Sequence, residues 1–439
     1  MANLKRGSQK LLNAWAFYDW ANSVYSLVIT SAIFPIFYGA LFKIKGSLYL
    51  SVFGMSLKST ALISFVTAAA FLIVALFSPI LSGIADYVGN KKIFMKFFCY
   101  LGALSCVGLY WFSLENIYVS LLFYCFGLIG FWGSLVFYNS YLPDIAYVDQ
   151  QDKVSAIGYS IGYVGSVLLL IVNLAMVMYP DFFGISGSEG EASIKAMRYS
   201  FVMVGVWWIV FSQYTFYYLP KGNKGHKVTN AVFFNGFREL KKVWHLLEEN
   251  SALKRYLGSF FVYSMAVQTV MLIATYFGEQ EILWETDSEK TTGLIISILL
   301  IQLIAILGAM MTSKASEKFG NLNVLIFING IWVLLCVAAY FITLPIHFYI
   351  TAAFVGLVMG GIQALSRSTY SKMIPKTKDT ASFFSFYDVA EKIGIVIGMC
   401  VYGFIDQATG SPRFAIIFLA LFFLMGMFLL KRVSNKNVA

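Results

Sequence analysis

The sequence predicts an all-α membrane protein of twelve transmembrane helices arranged as two six-helix halves. Three observations carry that prediction: a composition unable to coat a water-soluble surface, a regular series of long uncharged stretches, and a loop motif that occurs once in each half.

Apolar residues make up 59% of the chain and charged residues 12%, against roughly 45–50% and 25% in soluble globular proteins. Stretches such as Thr60 to Ala85, Phe201 to Leu219, Gly293 to Ser313 and Phe414 to Leu430 carry no charge. Each approaches or exceeds the ~20 residues that cross a bilayer as a helix. Inside hydrocarbon every backbone donor and acceptor must be satisfied within the segment, which leaves helices or a closed barrel. Barrel strands alternate in polarity, and these stretches do not.

The first six spans are predicted near Ala14–Phe42, Thr60–Ala85, Ile93–Phe112, Ile117–Asn139, Val154–Met178 and Tyr199–Leu219. The second six fall near Tyr256–Phe277, Thr291–Thr312, Leu322–Thr343, Ile346–Ser366, Ser382–Ile405 and Phe414–Leu430. The formal charge of +10 is read by its placement rather than its size. With the amino terminus inside, 24 Lys and Arg fall on the inner side and 7 on the outer, and Lys392 lies within the eleventh span. That asymmetry predicts both termini in the cytoplasm and an even number of crossings. It also turns the basic balance into a topological signal, so no nucleic-acid partner is expected. The first span is long and lacks a small-residue cleavage site, so cleaved targeting is not expected.

Cys99, Cys106, Cys125, Cys336 and Cys400 lie in apolar spans without metal or disulfide spacing, and His226, His245 and His347 are scattered. Neither a phosphate-binding Gly-x-x-x-x-Gly-Lys-Ser/Thr loop nor a Gly-x-Ser-x-Gly elbow is present. ATP-driven pumping by this chain and serine hydrolysis are unsupported, and no enzyme activity, metal or cofactor is expected.

The repeat places Ser82-Gly-Ile-Ala-Asp86-Tyr-Val-Gly89-Asn90 after the second span and Ser313-Lys-Ala-Ser-Glu317-Lys-Phe-Gly320-Asn321 after the eighth. Pro143 and Pro375 follow the fourth and tenth spans at matching positions. A parallel six-plus-six duplication accounts for both, with halves at 1–219 and 255–439. Between them, 220–254 is the most basic segment and sets Phe233, Phe237, Leu240, Trp244 and Leu247 at helical spacing, flanked by Arg238, Lys241 and Lys242. Two readings stand for this helix: it lies against anionic lipid at the membrane surface, or it packs beneath the two halves. The polar loop Gly184 to Ala192 reads as a flexible turn.

Charge at the bilayer centre costs at least ~2.5–3.5 kcal/mol, so polar groups inside spans draw attention. Asp19, Asn22 and Ser23 share one face of the first span, ahead of Tyr25. Asp19 is a candidate proton or cation site, or a cap for a neighbouring helix near the membrane surface. In the eleventh span Asp388, Glu391 and Lys392 lie within about one turn, with Asp388 and Lys392 at ion-pairing distance along the helix. This group is read either as a register-fixing salt bridge or as a substrate or coupling site. Asn139, Gln268, Gln302 and Gln363 are amides within spans, suited to interhelical hydrogen bonds or to a cavity. Asp86 or Glu317 could dock on the positive end of a helix in the opposite half and favour one conformation. Gly89, Lys91, Gly320, Asp144 and Arg367 join them as latch candidates. Arg367, closing the tenth span, also reads as an anchor at the cytoplasmic surface.

The acid-glycine-basic loop after the second span resembles the signature of the major facilitator superfamily. More narrowly, Tyr18-Asp19-Trp20-Ala21-Asn22-Ser23, Phe137-Tyr138-Asn139-Ser140-Tyr141-Leu142-Pro143-Asp144-Ile145-Ala146 and Gly360-Gly361-Ile362-Gln363-Ala364-Leu365-Ser366-Arg367-Ser368 resemble bacterial relatives of the fungal vacuolar amino-acid effluxers. The resemblance spans nearly the whole chain. It implies alternating access about a midplane cavity, with amino-acid or similar small-metabolite export as a candidate activity. It places Asp19, Asn22, Asn139, Asp144, Gln268, Gln363, Arg367 and Lys392 at motif positions. The seventh span departs from the family pattern, lacking an acidic residue before Gln268-Thr269. The expectation is a proton-coupled or facilitative carrier of a small organic solute, acting as a monomer in a bacterial inner membrane. The rival is a non-transporting membrane protein that recruits a partner through its loops and basic helix.

Overall fold

In a computed structural model the described residues are 4–222, 232–409 and 411–433. The first half contains α1 (Gln9–Lys45), α2 (Ser59–Val88), α3 (Lys91–Gly108), α4 (Ile117–Ser140), α5 (Gln151–Met178) and α6 (Glu189–Tyr218). A separate helix α7 (Val232–Glu249) precedes α8 (Ser251–Glu281), α9 (Asp287–Phe319), α10 (Asn321–Phe341), α11 (Pro345–Met373), α12 (Thr380–Thr409) and α13 (Pro412–Leu430). Among the described residues 11 helices are long and apolar enough to cross a membrane. The twelfth crossing is α12, which carries Asp388, Glu391 and Lys392 and is as long as its neighbours. With twelve crossings the start of α1 and the end of α13 lie at one face of the bundle, called here the basic face.

Helix ends follow local chemistry. At the end of α2, Gly89 takes a left-handed conformation (φ 69°) and donates its N–H to Ala85 and Asp86 carbonyls, the stop that glycine permits at least cost. At the start of α6, Ser188 and Glu191 form a reciprocal capping box. The helix therefore begins inside the segment Gly184 to Ala192, where the sequence suggested only a flexible turn. The first span is longer than predicted and changes geometry within itself. Tyr25–Ala32 is π-helical, and within it the Ser31 side-chain hydroxyl donates to the Ser26 carbonyl. Sequence reading also missed a hairpin on the opposite face, β1 (Tyr49–Val52) with β2 (Met55–Lys58), paired antiparallel with Val52 opposite Met55.

Lipid tails are as apolar as leucine, so the helices are held by close packing rather than by exclusion from water. Leu76, Phe77, Phe327 and Leu334 accordingly stay exposed on the outside of the bundle. Small residues set the approaches. Gly158, Gly162 and Gly165 on α5 lie against Asp19, Ser23 and Trp20 of α1, leaving no room for a Cβ. One apolar core gathers residues between Leu11 and Leu219 with Ala381 of α12, and a second those between Val243 and Val433 with Tyr163 of α5. The halves meet where α5 packs on α9 and α11, and where α2 and α4 pack on α12.

Helix α7 packs on α2 and also touches α8 and α12. The face it buries differs from the predicted stripe. Gly236, Val243 and Leu247 turn inward, while Phe237 and Trp244 stay 61% and 48% exposed. Gly236 decides this, because a Cβ there would stand 2.6 Å from Ile84 and its carbonyl lies against Gly83. The closest crossing goes to the glycine, and the larger apolar side chains are rotated off the interface. The side chain of Phe233, part of the predicted stripe, lies outside the described residues.

Candidate functional site

Ten residues into α1, about 15 Å from the helix start, Asp19 is 4% exposed. It lies deeper than the capping position near the surface that the sequence allowed. Its Oδ2 accepts from the Tyr138 hydroxyl at 2.8 Å and lies 3.2 Å from Nη2 of Arg367. Arg367, 2% exposed, also donates to Ser155 Oγ at 2.9 Å, to the Ser155 carbonyl at 3.0 Å and to Asn139 Oδ1 at 3.3 Å. Three rings surround its guanidinium, with centroids 4.8 Å (Trp15), 5.5 Å (Tyr138) and 4.2 Å (Tyr159) from Cζ. Anchoring at the membrane surface is therefore the wrong account of Arg367. It crosses from α11 into the first half, where its charge is neutralised and its donors are met.

A second charged group lies on α12. Lys392, 1% exposed, stands 2.9 Å from Asp388 and 2.7 Å from Glu391, with its ammonium 3.6 Å above the Trp132 ring of α4. Gln268 of α8 donates to Glu391 at 2.8 Å. Gln268, which has no acidic neighbour before it in α8, thus has an acidic partner on α12. Asp388 Oδ2 is buried and makes no hydrogen bond of standard geometry among the described residues, the Ser78 hydroxyl of α2 being its polar neighbour. With all three groups ionised the cluster carries one net negative charge, a costly state at this depth unless a proton or cation joins it.

At the basic face the halves are tied by several polar contacts. Asp86 accepts from the backbone N–H groups of Ala381 and Ser382, at 3.2 and 2.7 Å, and from the Ser382 hydroxyl at 2.7 Å. These are free donors at the amino end of α12, where a carboxylate also meets the favourable helix dipole. Lys91 reaches the Ser140 carbonyl (2.7 Å), Asp144 (2.6 Å) and the Thr380 hydroxyl (2.8 Å). The second loop is built differently. Glu317 is exposed, and the bonds are made by its neighbours: Ser316 and Asn321 donate to Asp152 at the start of α5, at 3.2 and 2.9 Å. Lys372 completes that group, 2.6 Å from Asp152. Gly320 ends α9 with φ 79°.

The remaining candidates lie between these layers. Tyr163 donates to Gln363 at 2.8 Å, another contact between halves. The Asn22 amide nitrogen and the Tyr25 hydroxyl are buried without partners among the described residues, as is Gln302 Oε1. Sequence reading missed Trp15, Tyr159, Asp152, Trp132 and Lys372. Trp15 alone left a signal, standing one helical turn before Asp19. Among the described residues no three His, Cys, Asp or Glu side chains converge as a metal site. An apolar crevice of about 570 Å³, open space included, lies in the second half between Phe277, Trp332 and Phe348. No charged side chain lines it, so it is separate from both charged groups.

Two six-helix halves meeting around membrane-buried charges, with ties gathered on one face, define a transporter of the major facilitator class. The chain belongs to the vacuole effluxer Atg22-like family, whose sequence model matches residues 7–438. It is 31% identical over 430 residues to the uncharacterized MFS-type transporter YxiO of Bacillus subtilis (strain 168), covering 97% of this chain and 95% of that one. It is 24% identical over 336 residues to autophagy-related protein 22 of Eremothecium gossypii, covering 68% of this chain and 61% of the fungal protein. Its fold is similar to that of the Escherichia coli fucose:proton symporter FucP, with a TM-score of 0.68 at 16% identity, over 97% of this chain and 98% of that one.

Proposed function

We propose that this protein exports a small organic solute, an amino acid or similar metabolite, by alternating access coupled to protons. The basic face is taken as cytoplasmic in a bacterial inner membrane, with both termini inside and the chain acting as a monomer. Under that reading the ties of Asp86, Lys91, Asp152 and Arg367 across the halves are a cytoplasmic gate in its closed position. Asp86, Gly89, Lys91, Asp144 and Arg367 belong to the latch, while Asp152 takes the part first expected of Glu317.

The observation that carries the reading is the group of Asp388, Glu391 and Lys392, which holds one more acid than base inside the membrane. Asp19 is charge-paired with Arg367. The coupling proton is therefore assigned to the α12 cluster, where Asp388 Oδ2 can hold it beside the Ser78 hydroxyl of α2. Solute binding belongs beside it, at Gln268, Gln363, Trp132 and the polar edge of α1 around Asn22 and Tyr25.

Purified protein in liposomes with an imposed pH gradient tests this. An amino acid or metabolite should move with the gradient, and Asp388→Asn should retain binding but lose the dependence on it. Absence of flux for a broad solute panel, with and without the gradient, overturns the reading.

A further inference from the structure

The residues around the Arg367 guanidinium come almost entirely from the other half of the protein. Trp15 and Asp19 lie on α1, Tyr138 and Asn139 on α4, and Ser155 and Tyr159 on α5. Arg367 alone enters from α11. The pocket is also tied together without it. Trp15 donates its indole N–H to the Tyr138 carbonyl at 2.9 Å, its ring stacks on Tyr138 with centroids 4.5 Å apart, and Tyr138 donates to Asp19.

Such a pocket has a definite ligand preference. Aromatic faces attract cations, most strongly when desolvated. A carboxylate adds the balancing charge, and the acceptors Asp19 Oδ2, Asn139 Oδ1, Ser155 Oγ and the Ser155 carbonyl match the spread donors of a planar guanidinium. Alternating access requires the halves to part at this face, and parting withdraws Arg367 while leaving the pocket whole. From this geometry we infer that the first half holds a cytosol-facing binding site for a small organic cation with a guanidinium head, which Arg367 fills when the gate is closed. The inference rests on the alternating-access reading and names a ligand class for it.

Ligand and closed gate then exclude one another. A guanidinium compound arriving from the cytosol competes with Arg367 and holds the gate open. When Arg367 re-enters, the compound must leave the pocket, and the net negative group at Asp388, Glu391 and Lys392 offers it a second attraction.

The test uses the full chain in lipid nanodiscs with Arg367→Ala, which empties the pocket without changing its walls. N-ethylguanidine should raise the melting temperature of this variant by about 2–4 °C at saturation, whereas uncharged N-ethylurea should not. The rise should vanish in Arg367→Ala/Asp19→Asn. If Arg367→Ala does not fold, the wild-type protein serves, with a spin-label pair across the basic face whose separation should grow on adding N-ethylguanidine or L-arginine. Equal responses to the guanidine and the urea, or a rise that persists without Asp19, overturn the pocket. A basic face that never opens under any solute, with the Arg367→Ala rescue intact, instead overturns alternating access and leaves the pocket standing.

Discussion

The Asp19 carboxylate occupies the space that a side chain at Gly158 would need, its Oδ2 lying 2.5 Å from where that Cβ would stand. Nη2 of Arg367 is 3.1 Å from the same point. The glycine on α5 is thus what allows a carboxylate of α1 and a guanidinium of α11 to meet at a three-helix junction. Gly158→Ala is expected to push the pair apart at a cost of about 1–3 kcal/mol, the usual range for overpacking. A lower melting temperature should accompany faster maleimide labelling of a single cysteine placed at Ser371, which is buried near the end of α11 in this structure. Unchanged labelling would show that the pair does not hold the face shut.

The α12 cluster should show strong coupling between its members. Lys392→Gln leaves the buried Asp388 and the half-buried Glu391 without their cation, and breaking a buried pair such as Lys392–Asp388 costs about 3–5 kcal/mol. Adding Asp388→Asn brings the net charge of the cluster from −2 back to the native −1, so the double variant should recover part of the lost stability while transport stays defective. A double-mutant cycle on thermal unfolding in detergent measures this. Additive losses would mean that the 2.9 Å contact contributes no interaction of its own.

Lys242 connects α7 to the entry of α12 through Asp379 at 2.9 Å. Its hydrogen bond to Asp379 raises the Lys242 pKa from the ordinary 10.5. A raised folded value means that the tie is fully present below the unfolded pKa and is lost only as pH rises through the folded one. Lys242 titration should therefore not release α7 anywhere between neutral pH and about 10.5. Salt should loosen it sooner, because the Lys242 side chain is 57% exposed and surface pairs are screened. Energy transfer between dyes at Lys241 and Lys378 reads both effects. A loss between pH 7 and 9 that Asp379→Asn abolishes would contradict the assignment.

Much of this architecture is written locally and could be read locally. Length and apolarity of a stretch decide whether it crosses the bilayer, and the charges of α12 stand out because they interrupt such a stretch. Partners are another matter. Asp19 drew attention through its position in α1, but Arg367 lies 348 residues away, and neighbouring residues carry no trace of the pairing. On α7 an apolarity count favoured Phe237 and Trp244, although contact with Gly83 requires Gly236, whose contribution is the absence of a side chain. The repeated loops misled in a third way, since similarity of sequence did not preserve which side of the contact supplies the acid.

That last difference can be measured. Asp86 sits in the last turn of α2 and reaches the start of α12, whereas Asp152 sits at the start of α5 and receives Ser316, Asn321 and Lys372 from the second half. Glu317, the sequence equivalent of Asp86, is exposed to solvent. Glu317→Gln should therefore change stability by less than about 0.5 kcal/mol, the ordinary range for a surface substitution. Asp152→Ala takes the carboxylate from the half-buried Lys372 ammonium and leaves it only Asn321 at 3.4 Å, and should cost more than about 1 kcal/mol. It should also raise the fraction of molecules open at the basic face. Paired distance measurements across α5 and α9 distinguish the two outcomes, and a larger effect from Glu317→Gln than from Asp152→Ala would refute the assignment of the second clamp.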